Sequence, residues 1–320
     1  MRVLILVLIK LLRNKVIALL AIGELNELPL DSAANMSHLR LASRIPQRSL
    51  TRGNNEILFI CGLCALPNDV VLLACSTKGV RALSLSTEQL YPRDYALRDS
   101  FGIAFDAATD TLLIAKWVAG VNGGMYWLLS ARSGQHEWSE VQRVQTSITR
   151  SSSPSWAGLS VLSNSRVFFG CGDYRDRLCA FEVTGDHCLR PLGDILLKKD
   201  FREFACTLEV NDTLVALSHY DKTVSLHRLV GLQLDSLGFI ELTDPSKVLF
   251  RNHLLLVADW NEDVEKHAIV SLDVANGQLT NQKQLLDANV GVEVEAWSLA
   301  EDRLVVWDWK SEDLMIYAFI

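Results

Sequence analysis

A chain of 320 residues, 49% hydrophobic and 22% charged, can fill a sizeable core, which excludes a disordered protein, a collagen and a heptad rod. Seven cysteines are too sparse for a disulfide-built secreted scaffold. The net charge of −7 is uneven: residues 1–55 hold eight basic and three acidic groups, the rest 23 basic and 35 acidic, so the acidic body is a poor partner for nucleic acid.

The chain opens with two apolar runs, 3–9 and 16–22, interrupted by Lys10, Arg13, Asn14 and Lys15. Neither reaches the roughly 18 residues of a bilayer span, so no transmembrane helix is expected. Three readings stay open for this segment, residues 1–37. It is a secretory signal cleaved near Gly23, a segment touching a membrane surface, or a helix or strand packed on the body. From residue 38 to 52 arginine recurs every fourth residue, at Arg40, Arg44, Arg48 and Arg52, which aligns the four on one face. Pro46 interrupts a helix, so the stretch reads as extended. A solvated outer strand accounts for the arginines more simply than an anionic docking stripe.

From residue 56 onward one theme returns six times: an apolar strand, a short polar turn and a second apolar strand. The turns with their second strands are PNDVVLLAC (67–75), ATDTLLIAK (108–116), SNSRVFFGC (163–171), VNDTLVALS (210–218), FRNHLLLVA (250–258) and AEDRLVVWD (300–308). Their anchors, Asp69, Asp110, Ser165, Asp212, His253 and Asp302, are spaced by 41, 55, 47, 41 and 49 residues, a period that indicates one multi-stranded unit per repeat. Third strands follow at 80–86, 125–132, 177–183, 223–229, 268–274 and 314–320, and fourth strands follow turns such as 184–186 and 275–278. The last repeat stops on a third strand, and an open sheet edge is a liability. A strand from 38–52 is expected to close the ring. The long second unit is expected to end in a flexible loop at 147–155.

On these repeats residues 56–320 resemble the β-propeller superfamilies, including WD-repeat and quinoprotein-like propellers. The fold expected is all-β: a propeller, six blades, spanning 38–320 with its closing strand. No Gly-His opens the blades, and Asp259-Trp260 and Asp308-Trp309 follow second strands, where a WD repeat places Trp-Asp after a third.

Phosphate-loop, zincin, EF-hand and Gly-x-Ser-x-Gly patterns are missing from the sequence. Cys61-x-x-Cys64 stands alone and reads as core packing rather than zinc or redox chemistry. Cys171 and Cys179 flank a hairpin symmetrically about Arg175 and are placed opposite each other, as thiols or a bridge. The odd cysteine count argues mildly against secretion. The triplets at Asn35 and Asn211 match the glycosylation pattern. The scattered histidines read as ordinary polar residues.

Loops joining second to third strands gather aromatic and acidic residues: Tyr174, Tyr220, Asp259 with Trp260, and Asp308 with Trp309. Repetition of the blade carries these loops to one face, where aromatic bodies flanked by acids, including Asp263 and Asp313, suit a partner with Lys or Arg beside apolar groups. The function expected is a non-catalytic scaffold for a protein or peptide, without a cofactor, in the cytoplasm; the alternative location is secreted. The rival function is a metal-dependent hydrolase or lactonase. Gluconolactonase-like propellers hold a divalent metal at the start of the innermost strands, and that resemblance implies Asp99, Glu203 and Glu295, with Lys247 competing for the place.

Overall fold

Short apolar stretches separated by polar turns pair most cheaply with their neighbours in sequence, so each repeat becomes an antiparallel meander. The computed structural model describes residues 38–51, 58–76, 79–95, 97, 100–118, 124–133, 138–150, 157–162, 164–171, 174–197, 204–219 and 221–320. The readings placed on residues 1–37, and the glycosylation triplet at Asn35, lie outside them.

Numbered along the chain, β1 (Leu39–Pro46) precedes six groups. Blade one is β2 (Ile60–Leu66), β3 (Val70–Cys75), β4 (Gly79–Ser84) and β5 (Gln89–Tyr95). Blade two is β6 (Ser100–Asp106), β7 (Thr111–Val118), β8 (Gly124–Ser133) and β9 (Trp138–Arg150). Blade three is β10 (Ala157–Val161), β11 (Arg166–Cys171), β12 (Tyr174–Val183) and β13 (Leu189–Leu196). Blade four is β14 (Phe204–Asn211), β15 (Leu214–His219), β16 (Thr223–Val230) and β17 (Gln233–Glu241). Blade five is β18 (Pro245–Arg251), β19 (Leu254–Asn261), β20 (Lys266–Ala275) and β21 (Gln278–Leu286). Blade six is β22 (Val294–Ala300), β23 (Arg303–Asp308) and β24 (Asp313–Phe319), and β1 adds to it as the fourth strand. The molecule is a six-bladed β-propeller closed by its N-terminal strand.

Closure is antiparallel, with Leu39 opposite Phe319 and Ile45 opposite Leu314. Leu39 and Ile45 turn inward, Arg40 and Leu41 face solvent, and Arg44 pairs with the buried Asp313. Of the four arginines, Arg40 and Arg44 lie on this outer strand, Arg48 falls in the 3-10 turn that follows it, and Arg52 lies outside the described residues. In all six blades the turn between first and second strand holds a non-glycine residue in the left-handed region: Asp69, Asp110, Ser165, Asp212, Asn252 and Glu301, with φ between 52° and 65°. Four are Asp or Asn, whose short polar side chains tolerate that conformation. The polar turns in the sequence are these positions.

Six buried apolar clusters fill the gaps between neighbouring blades, one per gap. Between blades six and one, the fully buried Trp307 joins Val71, Leu73, Val305 and Leu314. Inner strands are irregular where they begin in five blades: the register skips Cys61, Phe101, Ser246 and Glu295, and in blade four it shifts between Phe204 and Leu208. A bulge adds a residue and bends the strand, re-aiming side chains at the rim.

Two local expectations are corrected. Residues 147–150 are not loop but the end of β9, a 13-residue strand whose Ile148 is buried between blades. Cys179 does not face Cys171. The hairpin turns between Cys171 and Tyr174, not about Arg175, so Cys179 lies opposite Phe169 and is a free, buried thiol against the Ser147 hydroxyl.

Candidate functional site: one loop face and the central channel

Loops joining second to third strands and loops joining blades meet on one face. The amide of Trp260 donates to the Asp244 carbonyl, and that of Trp309 to the Glu293 carbonyl, both at 2.9 Å. Asp259 and Asp308 are the last residues of the second strands of blades five and six to pair with the first, and their carboxylates point inward. Asp259 accepts from the amides of Asp244 (2.7 Å) and Thr243 (3.2 Å). Asp308 accepts from the amides of Glu293 (2.9 Å) and Lys310 (3.2 Å) and from the Ser311 hydroxyl (2.7 Å). Both are buried, at 7% and 8% exposure, and hold the loops through these bonds. Asp313, paired with Arg44, is buried as well.

Successive residues of an extended chain point opposite ways, and the indoles that follow these aspartates turn outward. Trp309 is 41% exposed and stacks on Phe59 of blade one, centroids 5.7 Å apart at 29°. Phe59 is also 41% exposed, and the Ser76 amide binds its carbonyl at the same face. Trp260 is half-buried, edge-on to His267 at 4.9 Å. Tyr220 and the side chain of Tyr174 lie outside the described residues. The charged rim is Glu262, Asp263 and Glu265, all exposed, with Lys310 bonded to Glu265 at 3.0 Å. Burial, with the Asp308 charge beside it, raises the Glu293 carboxyl above its usual range.

His267 is a structural residue. Its Nδ1 accepts from the Val294 amide at 3.0 Å, so Nε2 carries the proton and donates to the Ser246 hydroxyl at 2.7 Å. Burial, then the nearby Lys247 charge, pushes its pKa down to about 4. His219, Ser225 and His227 form a second buried set: each imidazole Nε2 bonds the Ser225 oxygen, at 2.5 and 2.7 Å. Burial, then His219, pushes His227 down to about 4.

The six inner strands enclose a central channel of about 210 Å³. Near the loop face, Lys247 and Glu295 line it beside Cys61. Burial lifts Glu295 to about 7 while Lys247 pulls the other way, and burial with Glu295 lifts Cys61 to about 12. Deeper lies a ring of six residues, each paired three steps from its blade's first turn: Cys64, Ala104, Ser160, Glu209, Leu249 and Ser298. Ser298 accepts from the Ala65 amide (2.9 Å) and Ser160 from the Val210 amide (3.1 Å), the same stitch between inner strands at two gaps. Glu209 had no counterpart in the sequence reading, which sought carboxylates only where inner strands begin. Of the lactonase-type set, Glu295 lines the channel, and Asp99 and Glu203 lie outside the described residues. Among the described residues no three His, Cys, Asp or Glu side chains gather as a metal site. No helix among them is long and apolar enough to cross a membrane.

No protein-family model and no curated protein sequence matches the chain. Solved structures do. A chain in the crystal structure of the Mitotic Checkpoint Complex matches with a TM-score of 0.58 and 11% identity, covering 89% of this chain and 92% of that one. The β-propeller domain of Myceliophteria thermophila Cps50 (Swd1) matches with a TM-score of 0.53 and 12% identity, covering 82% and 84%. At such identities the likeness is one of architecture: this chain shares the β-propeller fold.

Proposed function

We propose that this propeller is a non-catalytic scaffold that binds a protein or peptide through the loop face carrying Phe59, Trp260 and Trp309. The observation that carries the reading is the stacked Phe59–Trp309 pair at the seam of blades six and one, with both rings 41% exposed. Two large rings left in water next to each other resemble the aromatic anchors that dominate binding energy. Tyr174 and Tyr220 belong to the equivalent loops of blades three and four and complete the proposed contact set. Asp259 and Asp308 serve it indirectly, by fixing the loops. Exposed Glu262, Asp263 and Glu265 suit a partner with Lys or Arg beside apolar groups, speeding encounter while the rings supply affinity. Free Cys64 and Cys179, both buried, fit a reducing compartment, and we place the protein in the cytoplasm.

The test is comparative capture from lysate with wild type and Trp309→Ala, followed by affinity measurement on the partner identified. At an anchor the substitution weakens binding by about 2 kcal/mol, roughly 30-fold. Unchanged affinity per folded molecule removes this face from the site. Stoichiometric calcium or zinc in the purified protein, lost in Glu203→Gln, replaces the scaffold by the metal-dependent hydrolase.

A further inference from the structure

The channel is two-sided. Among the described residues that line it, blades one to three contribute only uncharged side chains, including Phe101, Ile103 and the thiols of Cys61 and Cys64. The charged groups sit on three consecutive blades: Glu209 on four, Lys247 on five and Glu295 on six. Lys247 acts on Glu295, Cys61 and His267, in the layer near the loop face. Glu209 is different. It is half-buried in the deeper ring, bonded by the Ser160 hydroxyl, and no described cation pairs with it. Burial pushes the Cys64 thiol up to about 12, and the Glu209 charge adds to that rise. With one donor and no counter-charge among the described residues, burial lifts Glu209 to about 8.

A buried carboxyl group set beside open volume, with an uncharged wall across from it, costs stability whenever it ionises. The cost disappears when a cation small enough for the channel arrives. At about 210 Å³ the space is below the roughly 300–1,000 Å³ of sites for drug-sized ligands. A divalent metal fits poorly: no three-ligand group exists among the described residues, and Lys247 adds positive charge to the same channel.

We propose that the central channel is a binding site for a small organic ammonium ion, whose charge pairs with the Glu209 carboxylate while its short apolar body lies against the uncharged wall of blades one to three. Binding is coupled to ionisation: Glu209 enters with its proton, and the proton leaves to solvent as the ion pair forms. The site is separate from the loop face and does not depend on the scaffold reading.

Titration calorimetry with butylammonium and benzylammonium at pH 7, in two buffers of different ionisation enthalpy, tests this, with butanol and benzyl alcohol as neutral analogues. Wild type is expected to bind an ammonium ion with one-to-one stoichiometry and release a fraction of a proton approaching one. Glu209→Gln is expected to bind it at least tenfold more weakly, and Glu295→Gln within about threefold of wild type. Butanol and benzyl alcohol are expected to bind far more weakly than the amines. Failure of wild type to bind either ammonium ion, equal binding by Glu209→Gln, alcohols binding as tightly as amines, or binding without proton release each overturns the proposal. The proton count is read on wild type, so the test stands even if Glu209→Gln folds poorly.

Discussion

Blades four, five and six place different residues at the same position, the last of the second strand to pair with the first: His219, Asp259 and Asp308, opposite Phe204, Pro245 and Val294. The two carboxylates reach back to the loop that enters their own blade and bind its amides. The imidazole turns into its blade and joins Ser225 and His227. One backbone position therefore serves two anchoring chemistries: a charge-assisted latch between blades and a neutral relay within one. The latch has a directional result, because fixing the inter-blade loop holds the next residue, an indole, toward solvent.

Replacing a latch is expected to give the largest effect. Asp308→Ala loses two amide partners and a hydroxyl in a buried setting and should cost about 3 kcal/mol, and Asp259→Ala about 2 kcal/mol, by urea unfolding. Losses below about 0.5 kcal/mol in both would end the distinction between latch and relay.

The relay should answer to acid. His227 titrates near 4 in the fold and near 6.5 when free, so the unfolded chain binds more protons between those values. Its contribution is intact above pH 6.5 and falls as pH drops toward 4, by roughly 2–3 kcal/mol. His267 slopes the same way. Glu209 and Glu295, raised to about 8 and 7 from 4.5, slope oppositely, favouring the fold at low pH and losing that advantage as pH rises. Wild-type stability should therefore be nearly flat from about pH 4.5 to 6.5, and His227→Gln should gain relative to wild type as pH falls across that range. Parallel curves for the two proteins would show that the imidazole is not held neutral by the fold.

Smaller effects separate latch from indole. Trp309→Ala, next to the Asp308 latch but outside the core, should change stability by no more than about 1 kcal/mol. A loss like that of Asp308→Ala would make the stacked ring structural. Smallest of all, Asp263→Asn should leave stability within about 0.5 kcal/mol and slow partner association mainly at low salt.

Much of the architecture was legible because it rests on local signals. The polar turns carry Asp and Asn where the chain needs left-handed residues, and a repeat lacking its fourth strand demands one from elsewhere. The site was legible less evenly. Asp259-Trp260 and Asp308-Trp309 stood out as exposed pairs, yet alternation along a strand end sends one residue in and the other out. Whether a carboxylate finds amides depends on a loop that precedes it by some 15 residues. Glu209 was invisible for a related reason. It becomes conspicuous only once all six inner strands are aligned from their turns, as the charged member of a ring otherwise built of Cys64, Ala104, Ser160, Leu249 and Ser298. The end of β9 was misread because Ser and Thr there suggested a loop, while Ile148 has a buried place between blades.

The pairing of β1 with β24 ties Arg44 to Asp313 across 269 positions of sequence. Most strand contacts form between neighbours in the chain, so blades one to five can each zip locally, whereas the sixth must wait for two distant stretches to meet. Closing so long a loop is entropically slow, and it comes late in any folding order that builds from near contacts outward. Until it happens β24 is an open edge, the place where an unfinished molecule would pair with another copy or trade strands with it. Protection of the β24 amides against hydrogen exchange should therefore appear last during refolding, after those of blades one to five.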